Sequence, residues 1–301
     1  MLKINSRRLS FLRQILFYGL CGILIMLQTS CSSIHRVDAP IFEKNSRAHY
    51  PGKFIWDDLV TSDIAAAKNF YGELLGWTFE QGEKYTVIKL NNKRIGGIIN
   101  IPPNPLEPHV ARWIASLSVP DINQAVGVVS AHGGKIHKKP EQIGDRGWVA
   151  LVSDPQGAQF ALIHTDNGDP NDGPIEDGAW LWHELWTNNP NDSAHFYKEL
   201  AGYSTIVKLD SYWILKTDSQ WRAGIRTVFN KDLEQRWVPV IKVNNVKAIS
   251  TMAAQLGGRI IIERESSDSF DPVALLADPS GALFMIQEWS GIDDLKERKI
   301  Q

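Results

Sequence analysis

The stretch Trp56-Asp57-Asp58-Leu59-Val60-Thr61, followed by Phe70-Tyr71-Gly72-Glu73-Leu74-Leu75-Gly76-Trp77, is written again 126 positions later as Trp182-His183-Glu184-Leu185-Trp186-Thr187 and Phe196-Tyr197-Lys198-Glu199-Leu200-Ala201-Gly202-Tyr203. Further along, Val119, Gly133, Gly134, Ile136, Asp154, Pro155, Gly157, Ala158 and Phe160 recur 124 positions later as Val243, Gly257, Gly258, Ile260, Asp278, Pro279, Gly281, Ala282 and Phe284. A drift of two residues over such a length means that a whole unit is duplicated. A period of roughly 125 residues is too long for a solenoid or propeller repeat, so each copy is expected to be a domain with its own core.

Within the first copy, Phe54 to Val60 reads as a strand, and Thr61-Ser62-Asp63 supplies capping oxygens for the helix that follows. Ile64, Ala67, Phe70, Tyr71 and Leu74 share one helical face and Gly76 is the stop. The second copy starts its helix with Asn189 as cap and Pro190 in the first turn. Three strand-like runs follow, around residues 77–80, 85–90 and 95–100, and then the pattern restarts. Leu117-Ser118-Val119-Pro120-Asp121 leads into a helix over residues 122–132 that ends at Gly133-Gly134, followed by strands around Ile136, over 148–153 and over 159–164. Each copy is therefore two βαβββ units, four in the chain, and the fold class is α+β.

This order, with Trp56-Asp57-Asp58-Leu59, Phe70-Tyr71-Gly72-Glu73-Leu74-Leu75-Gly76-Trp77 and Val152-Ser153-Asp154-Pro155-Gln156-Gly157-Ala158, resembles the vicinal oxygen chelate superfamily of glyoxalase-related, bleomycin-resistance-type and dioxygenase proteins. The resemblance covers about residues 52–166 and 179–290. It implies four βαβββ modules paired into two glyoxalase-like domains with curved mixed sheets. In metal-dependent members it implies a divalent metal in each concave face, held by His, Glu or Gln from first and last strands. The positions that correspond here are Trp56, Ile114 and Ala161 in one half and Trp182, Val238 and Met285 in the other. Only the thioether of Met285 could ligate, and it is a poor ligand for such metals. No metal and no other cofactor is expected. P-loop, dinucleotide-binding, nucleophile-elbow and Cys-x-x-Cys motifs are absent from the sequence.

Alternation places residues two apart on one strand face, so the first cup should gather Trp56, Asp58, Ile114, Ser116 and Gln159. Arg146 and Trp148 are expected near its rim. The second cup should gather Trp182, Glu184, Trp186, Val238, Val240, Lys242, Met285 and Gln287, with Glu184 expected to pair with Lys242. The first cup is expected to be the more open and Asp58 to be left free for a ligand. An aromatic wall with a carboxylate suits a small, partly aromatic or cationic molecule. The competing reading for Trp56 and Trp182 is burial of area, and for Asp58 and Glu184 a hydrogen bond at a strand end. His183 falls on the face opposite Glu184, so the two do not form a catalytic dyad.

Residues 1–31 stand outside the repeat. Lys3, Arg7, Arg8 and Arg13 precede an apolar run over 15–27, and Leu27-Gln28-Thr29-Ser30-Cys31 resembles a lipobox, with Cys31 as the lipidation site. An uncleaved membrane anchor is the alternative. Residues 32–52 read as a tether, 53–166 as the first domain, 167–178 as a turn-rich linker, 179–290 as the second domain and 291–301 as a charged tail. This places the body at a bacterial cell envelope, facing the periplasm or exterior. Only Cys21 and Cys31 are present, so the body has no thiolate or disulfide chemistry. A net charge of −2 without a basic stripe argues against nucleic acid as a partner.

The functional expectation is a lipid-anchored, metal-free binder of a small molecule in a Trp-lined cup. A glyoxalase-related enzyme of lyase or dioxygenase type and a structural envelope lipoprotein with filled cups are the alternatives. One chain supplies all four modules, which is compatible with a monomer.

Overall fold

The computed structural model of the chain describes residues 47–82, 85–103, 111–203, 205–209, 212–217, 220–228, 234–266 and 271–289. The expected targeting segment, most of the tether and the charged tail lie outside these residues. No helix among the described residues is long and apolar enough to cross a membrane.

The described chain forms two eight-stranded sheets of the same design. In the first, β1 (Phe54–Thr61) lies at the centre, parallel to β4 (Lys93–Asn100) and antiparallel to β5 (Arg112–Ser118), which runs parallel to β8 (Gln159–His164). Strands β2 (Thr78–Gln81) and β3 (Tyr85–Leu90) extend one wing, and β7 (Trp148–Ser153) and β6 (Lys135–Gln142) the other. The second sheet repeats this with β9 (Trp180–Thr187), β10 (Thr205–Leu209), β11 (Tyr212–Thr217), β12 (Gln220–Thr227), β13 (Arg236–Lys242), β14 (Arg259–Arg264), β15 (Val273–Ala277) and β16 (Leu283–Gln287). These are the four expected βαβββ modules.

The helices start where side-chain oxygens can take the free amides of the first turn. Asp63 accepts from Ala66 N (2.9 Å) at α1 (Ile64–Leu75), and Asp121 from Asn123 N and Gln124 N at α2 (Ile122–Ala131). Asn189 caps α3 (Pro190–Ala201) and Asn245 caps α4 (Val246–Gln255). Gly76 and Gly202 close α1 and α3 in left-handed conformation, as the repeat requires.

The expectation of one separate core per domain is corrected. One apolar cluster joins α2, β5, β7 and β8 of the first half to α3, β9, β11 and β12 of the second. The other joins α1, β1, β3 and β4 to α4, β13, β15 and β16. Each helix has one apolar stripe and lies between the two sheets, so a domain alone leaves half of each core uncovered.

Polar contacts across this interface come in symmetric pairs. Trp113 Nε1 donates to Tyr71 Oη (3.0 Å), which donates to Asp278 Oδ2 (3.3 Å); Trp237 Nε1 donates to Tyr197 Oη (2.8 Å), which donates to Asp154 Oδ2 (3.1 Å). Trp77 Nε1 donates to Gly178 O (2.8 Å) and Tyr203 Oη to Gly52 O (3.0 Å). His183 Nε2 and Asp57 Oδ1 meet at 2.8 Å.

Two boundaries also change. Residues 47–52 do not behave as a tether: Gly52 N donates to Ser118 O (3.0 Å) and Tyr50 N to Asp169 Oδ2 (2.7 Å). The linker is laced to both halves, because Asp172 meets Lys53 Nζ (2.8 Å) and Arg222 Nη1 (2.8 Å), and Glu176 meets Asn91 and Lys93.

Candidate functional site

The concave face of the first sheet is built where β1, β5 and β8 lie side by side. Trp56, Ser116 and Ala161 stand opposite one another across the three strands, and Asp58 stands between Ile114 and Gly97. A bulge at Ile55 turns Phe54 to the helix side while Ile55 and Trp56 join Val87 and Ile163 in the cup. The matching bulge at Leu181 does the same for Trp180.

Asp58 is enclosed by donors. Trp56 Nε1 (3.0 Å) and the Tyr85 hydroxyl both donate to Oδ1, and Arg146 Nη2 donates to Oδ2 (2.7 Å). The Arg146 guanidinium also stands 5.4 Å from the Trp56 ring centroid. Arg146 sits in a 3-10 turn, Gly144–Arg146, between β6 and β7, and is 4% exposed. Tyr85 reaches Asp58 because the residue beneath it is glycine: a Cβ on Gly97 would lie 1.7 Å from the Tyr85 hydroxyl oxygen. Burial, and then the Asp58 charge, push the Tyr85 phenol well above its ordinary pKa, so it stays a proton donor. Burial pulls the Arg146 pKa down, but the Asp58 carboxylate more than offsets this and the guanidinium stays charged.

Asp58 is therefore not the free acid that was expected; a buried carboxylate needs a counter-charge, and Arg146 supplies it from inside the cup instead of the rim. Three buried polar atoms in the cup have no hydrogen-bond partner among the described residues: Ser116 Oγ, Gln159 Oε1 and Arg146 Nε. Trp148 is not brought to this group. It follows the alternation of Ala150 and Val152 onto the helix side and is 41% exposed.

The second cup solves the same problem with a different cation. Arg226 donates to Glu184 through Nε (2.7 Å) and Nη2 (2.9 Å), and Trp186 Nε1 donates to the same carboxylate (3.3 Å). The expected pairing of Glu184 with Lys242 is corrected, since Lys242 Nζ lies at the end of β13, donating to Ile175 O (2.9 Å) with Asp177 3.6 Å away. Tyr212 passes over Gly224 as Tyr85 passes over Gly97, and Arg226 stands 4.9 Å from the Tyr212 ring centroid. Trp186, Val238, Val240, Leu275 and Met285 fill the floor. Trp182 packs against this floor as expected and stands 6.4 Å from the Tyr212 ring; it also meets Trp221 and Trp289, lines a crevice of about 480 Å³ beside the linker, and its Nε1 has no partner among the described residues.

The sequence reading missed Tyr85, Tyr212, Arg226 and Asp57. A signal for the tyrosines was present, because Tyr85 precedes Gly97 and Tyr212 precedes Gly224 by the same twelve positions. Arg226 had none, since the residue in its place in the first half is Ile99.

The donor set does not fit a divalent metal. In the first cup the one carboxylate is paired with a guanidinium, and Trp56, Ile114 and Ala161 offer no ligand. In the second, Glu184 is bidentate to Arg226 beside Val238 and Met285. Among the described residues no three His, Cys, Asp or Glu side chains are grouped for coordination.

Residues 53–162 match the model of the Glyoxalase/Bleomycin resistance protein/Dioxygenase superfamily. The chain is 29% identical over 241 residues to "Putative glyoxylase CFP32" of Mycobacterium tuberculosis, covering 77% of this chain and 92% of the relative. It is 26% identical over 262 residues to "Anthracycline biosynthesis protein DnrV" of Streptomyces peucetius, covering 79% and 94%. Among solved structures, a Mn(II)-bound glyoxalase from Novosphingobium aromaticivorans superposes with a TM-score of 0.57 at 13% identity, over 79% of this chain and 82% of that one. An extradiol ring-cleaving dioxygenase from B. fuscum gives 0.57 at 14% identity, over 80% and 73%. Likeness at that identity speaks for the fold alone. Residues 53–162 match the domain of the glyoxalase/bleomycin resistance protein/dioxygenase superfamily, and the second sheet repeats the strand order of the first.

Proposed function

We propose that this protein binds a small, oxygen-bearing organic molecule in its first cup without using a metal. The observation that carries the reading is the set of partnerless buried atoms there: Ser116 Oγ, Gln159 Oε1 and Arg146 Nε. Buried polar groups in folded proteins are nearly all paired, so an unpaired cluster beside an aromatic wall marks a place for a ligand or ordered water. The Arg146 and Ser116 donors suit a carbonyl or hydroxyl oxygen, and Gln159 Oε1 suits a donor on the same molecule. The preference for a cation falls away, because Asp58 is neutralised by Arg146. The same pairing leaves Asp58 without the role of general base, so the reading is of a binder and not of a glyoxalase- or dioxygenase-type enzyme.

A second site is supported by the unpartnered Trp182 Nε1 on the crevice beside the linker. Tryptophan-fluorescence titration with a panel of small carbonyl and phenolic compounds distinguishes the two. Trp56→Phe and Ser116→Ala are expected to weaken the response to a hit and Trp182→Phe to leave it intact. A hit indifferent to Trp56→Phe, Ser116→Ala and Gln159→Leu alike contradicts the first-cup reading.

The proposal includes attachment of the body to a bacterial envelope membrane through a lipid on Cys31, supported by the basic start, the apolar run and the residues before that cysteine. Lipid labelling that persists in Cys31→Ser speaks against it.

A further inference from the structure

The crevice of about 480 Å³ beside the linker lies where β1, β4, β9 and β12 begin, and its size is that of a small-molecule pocket. One wall is aromatic. Trp182 and Trp221 stand 6.1 Å apart and nearly parallel, and Trp289 lies 5.2 Å from the first and 6.3 Å from the second, all three half-buried. The duplication shows that the fold does not require this wall. By the spacing of the repeat, the places of Trp221 and Trp289 are held in the first half by Arg94 and by Thr165, which turns inward to Asp169 Oδ1 (3.1 Å). Trp182 does answer to Trp56, but Trp56 Nε1 donates to the acid two positions on, whereas Glu184 takes that bond from Trp186. Trp182 Nε1 is thereby left without a partner among the described residues.

The crevice is also basic. Lys53, Lys93, Arg94 and Arg222 line it against two carboxylates, Asp172 and Glu176, an excess of cations in a chain whose net charge is −2. Arg222 follows Trp221 directly, at the bulge of β12, so the cations adjoin the aromatic wall. Asp172 serves both Lys53 and Arg222, each at 2.8 Å, although those side chains are only 19% and 8% exposed. One shared carboxylate thus offsets two largely buried cations. Burial pulls the Lys53 pKa below its ordinary value in spite of Asp172, and the Arg222 charge works in the same direction. An anion brought to this pair supplies the missing counter-charge, and a flat ring is what half-buried tryptophans cover best. We propose that the crevice binds a planar aromatic carboxylate, its rings against Trp182, Trp221 and Trp289 and its carboxylate at Lys53 and Arg222. The inference rests on the crevice being a site of its own, apart from the first cup.

The test is titration calorimetry of the full chain in mild detergent, with 2-naphthoate and its neutral counterpart 2-naphthamide as probes. The wild type is expected to bind the naphthoate at one site and the amide roughly tenfold more weakly, with added salt narrowing the gap. Trp221→Ala, Trp289→Ala and Lys53→Met should each weaken naphthoate binding by roughly tenfold, and Lys53→Met should leave binding of the amide unchanged. Trp56→Phe and Ser116→Ala should leave naphthoate binding as it is, so that failure of the crevice and failure of the first cup read out separately. Because alanine in place of a half-buried tryptophan can unfold the chain, a second measurement uses the wild type labelled with 5-fluorotryptophan. There naphthoate should shift the fluorine resonances of Trp182, Trp221 and Trp289 and not that of Trp56. Absence of naphthoate binding, equal affinity for acid and amide, binding indifferent to the crevice variants, or binding lost on Trp56→Phe with the shift confined to Trp56 overturns the proposal.

Discussion

Asp57 and His183 hold the same position in the two repeats, 126 residues apart, and meet each other at 2.8 Å across the domain interface. In an unduplicated ancestor that paired with its own copy, such a position would face itself. Two aspartates there would repel in a dry interface and two histidines would leave one ring nitrogen unmatched. Divergence to one acid and one imidazole turns the clash into a hydrogen-bonded pair. Burial pushes the Asp57 carboxyl up, and the imidazole beside it works against that rise.

Breaking this pair should therefore cost far more than exchanging it. His183→Ala leaves a buried carboxylate without its partner and is expected to destabilise the fold by about 3 kcal/mol or more. The exchanged double variant, Asp57→His with His183→Asp, should recover most of that loss. Denaturant unfolding of the three variants provides the comparison, and an exchanged variant as unstable as His183→Ala would show that the pair is not interchangeable about the interface.

The shared cores predict that neither half folds alone. Residues 47–166 and 179–289 expressed separately should lack cooperative unfolding, whereas the two co-expressed should associate into a folded complex. Calorimetry of each piece checks this, and a cooperative transition in either isolated half contradicts the shared-core description.

Asp154 gives a pH signature. Burial, opposed by the Ala158 amide and the Tyr197 hydroxyl, raises its pKa from 3.8 to about 6. Because the folded value is the higher one, the fold favours the protonated acid. This contribution is fully present below the unfolded pKa and is lost as pH rises through about 6. Asp278 in the matching turn is raised for the same first cause. Asp154→Asn should flatten the decline in unfolding free energy between about pH 4 and pH 6, and parallel curves for variant and wild type would count against the assignment.

Arg146 and Asp58 should behave as one unit. Arg146→Met strands the carboxylate inside the cup and is expected to cost about 3 kcal/mol, and adding Asp58→Asn should return much of it. Additive losses in that cycle would mean that the two side chains do not depend on one another.

Much of the fold was legible because duplication prints each signal twice: the caps at Asp63 and Asn189, the restart of the pattern at Asp121, the Gly76 and Gly202 stops, and the central strands all fall where the residues place them, whereas the Asn245 cap was not read. What escaped was pairing at a distance. Nothing local to Trp113 or Tyr71 says that Asp278 completes their chain of hydrogen bonds, nor that the two helix layers merge. The cup floors followed from alternation, which brought Trp56, Asp58 and Ser116 together and kept His183 away from Glu184. The counter-charges did not follow. Arg146 arrives from a turn 88 positions beyond Asp58, and Arg226 from a strand position held by Ile99 in the other half.

The central claim is that both cups answer a buried acid with an arginine and leave no ligand set for a metal. Elemental analysis of the purified full chain, after exposure to manganese, iron, zinc and nickel followed by buffer exchange, tests it most directly. The account predicts far less than one metal ion per domain, unchanged by Asp58→Asn or Glu184→Gln. Close to one ion per domain, lost on either substitution, would contradict it.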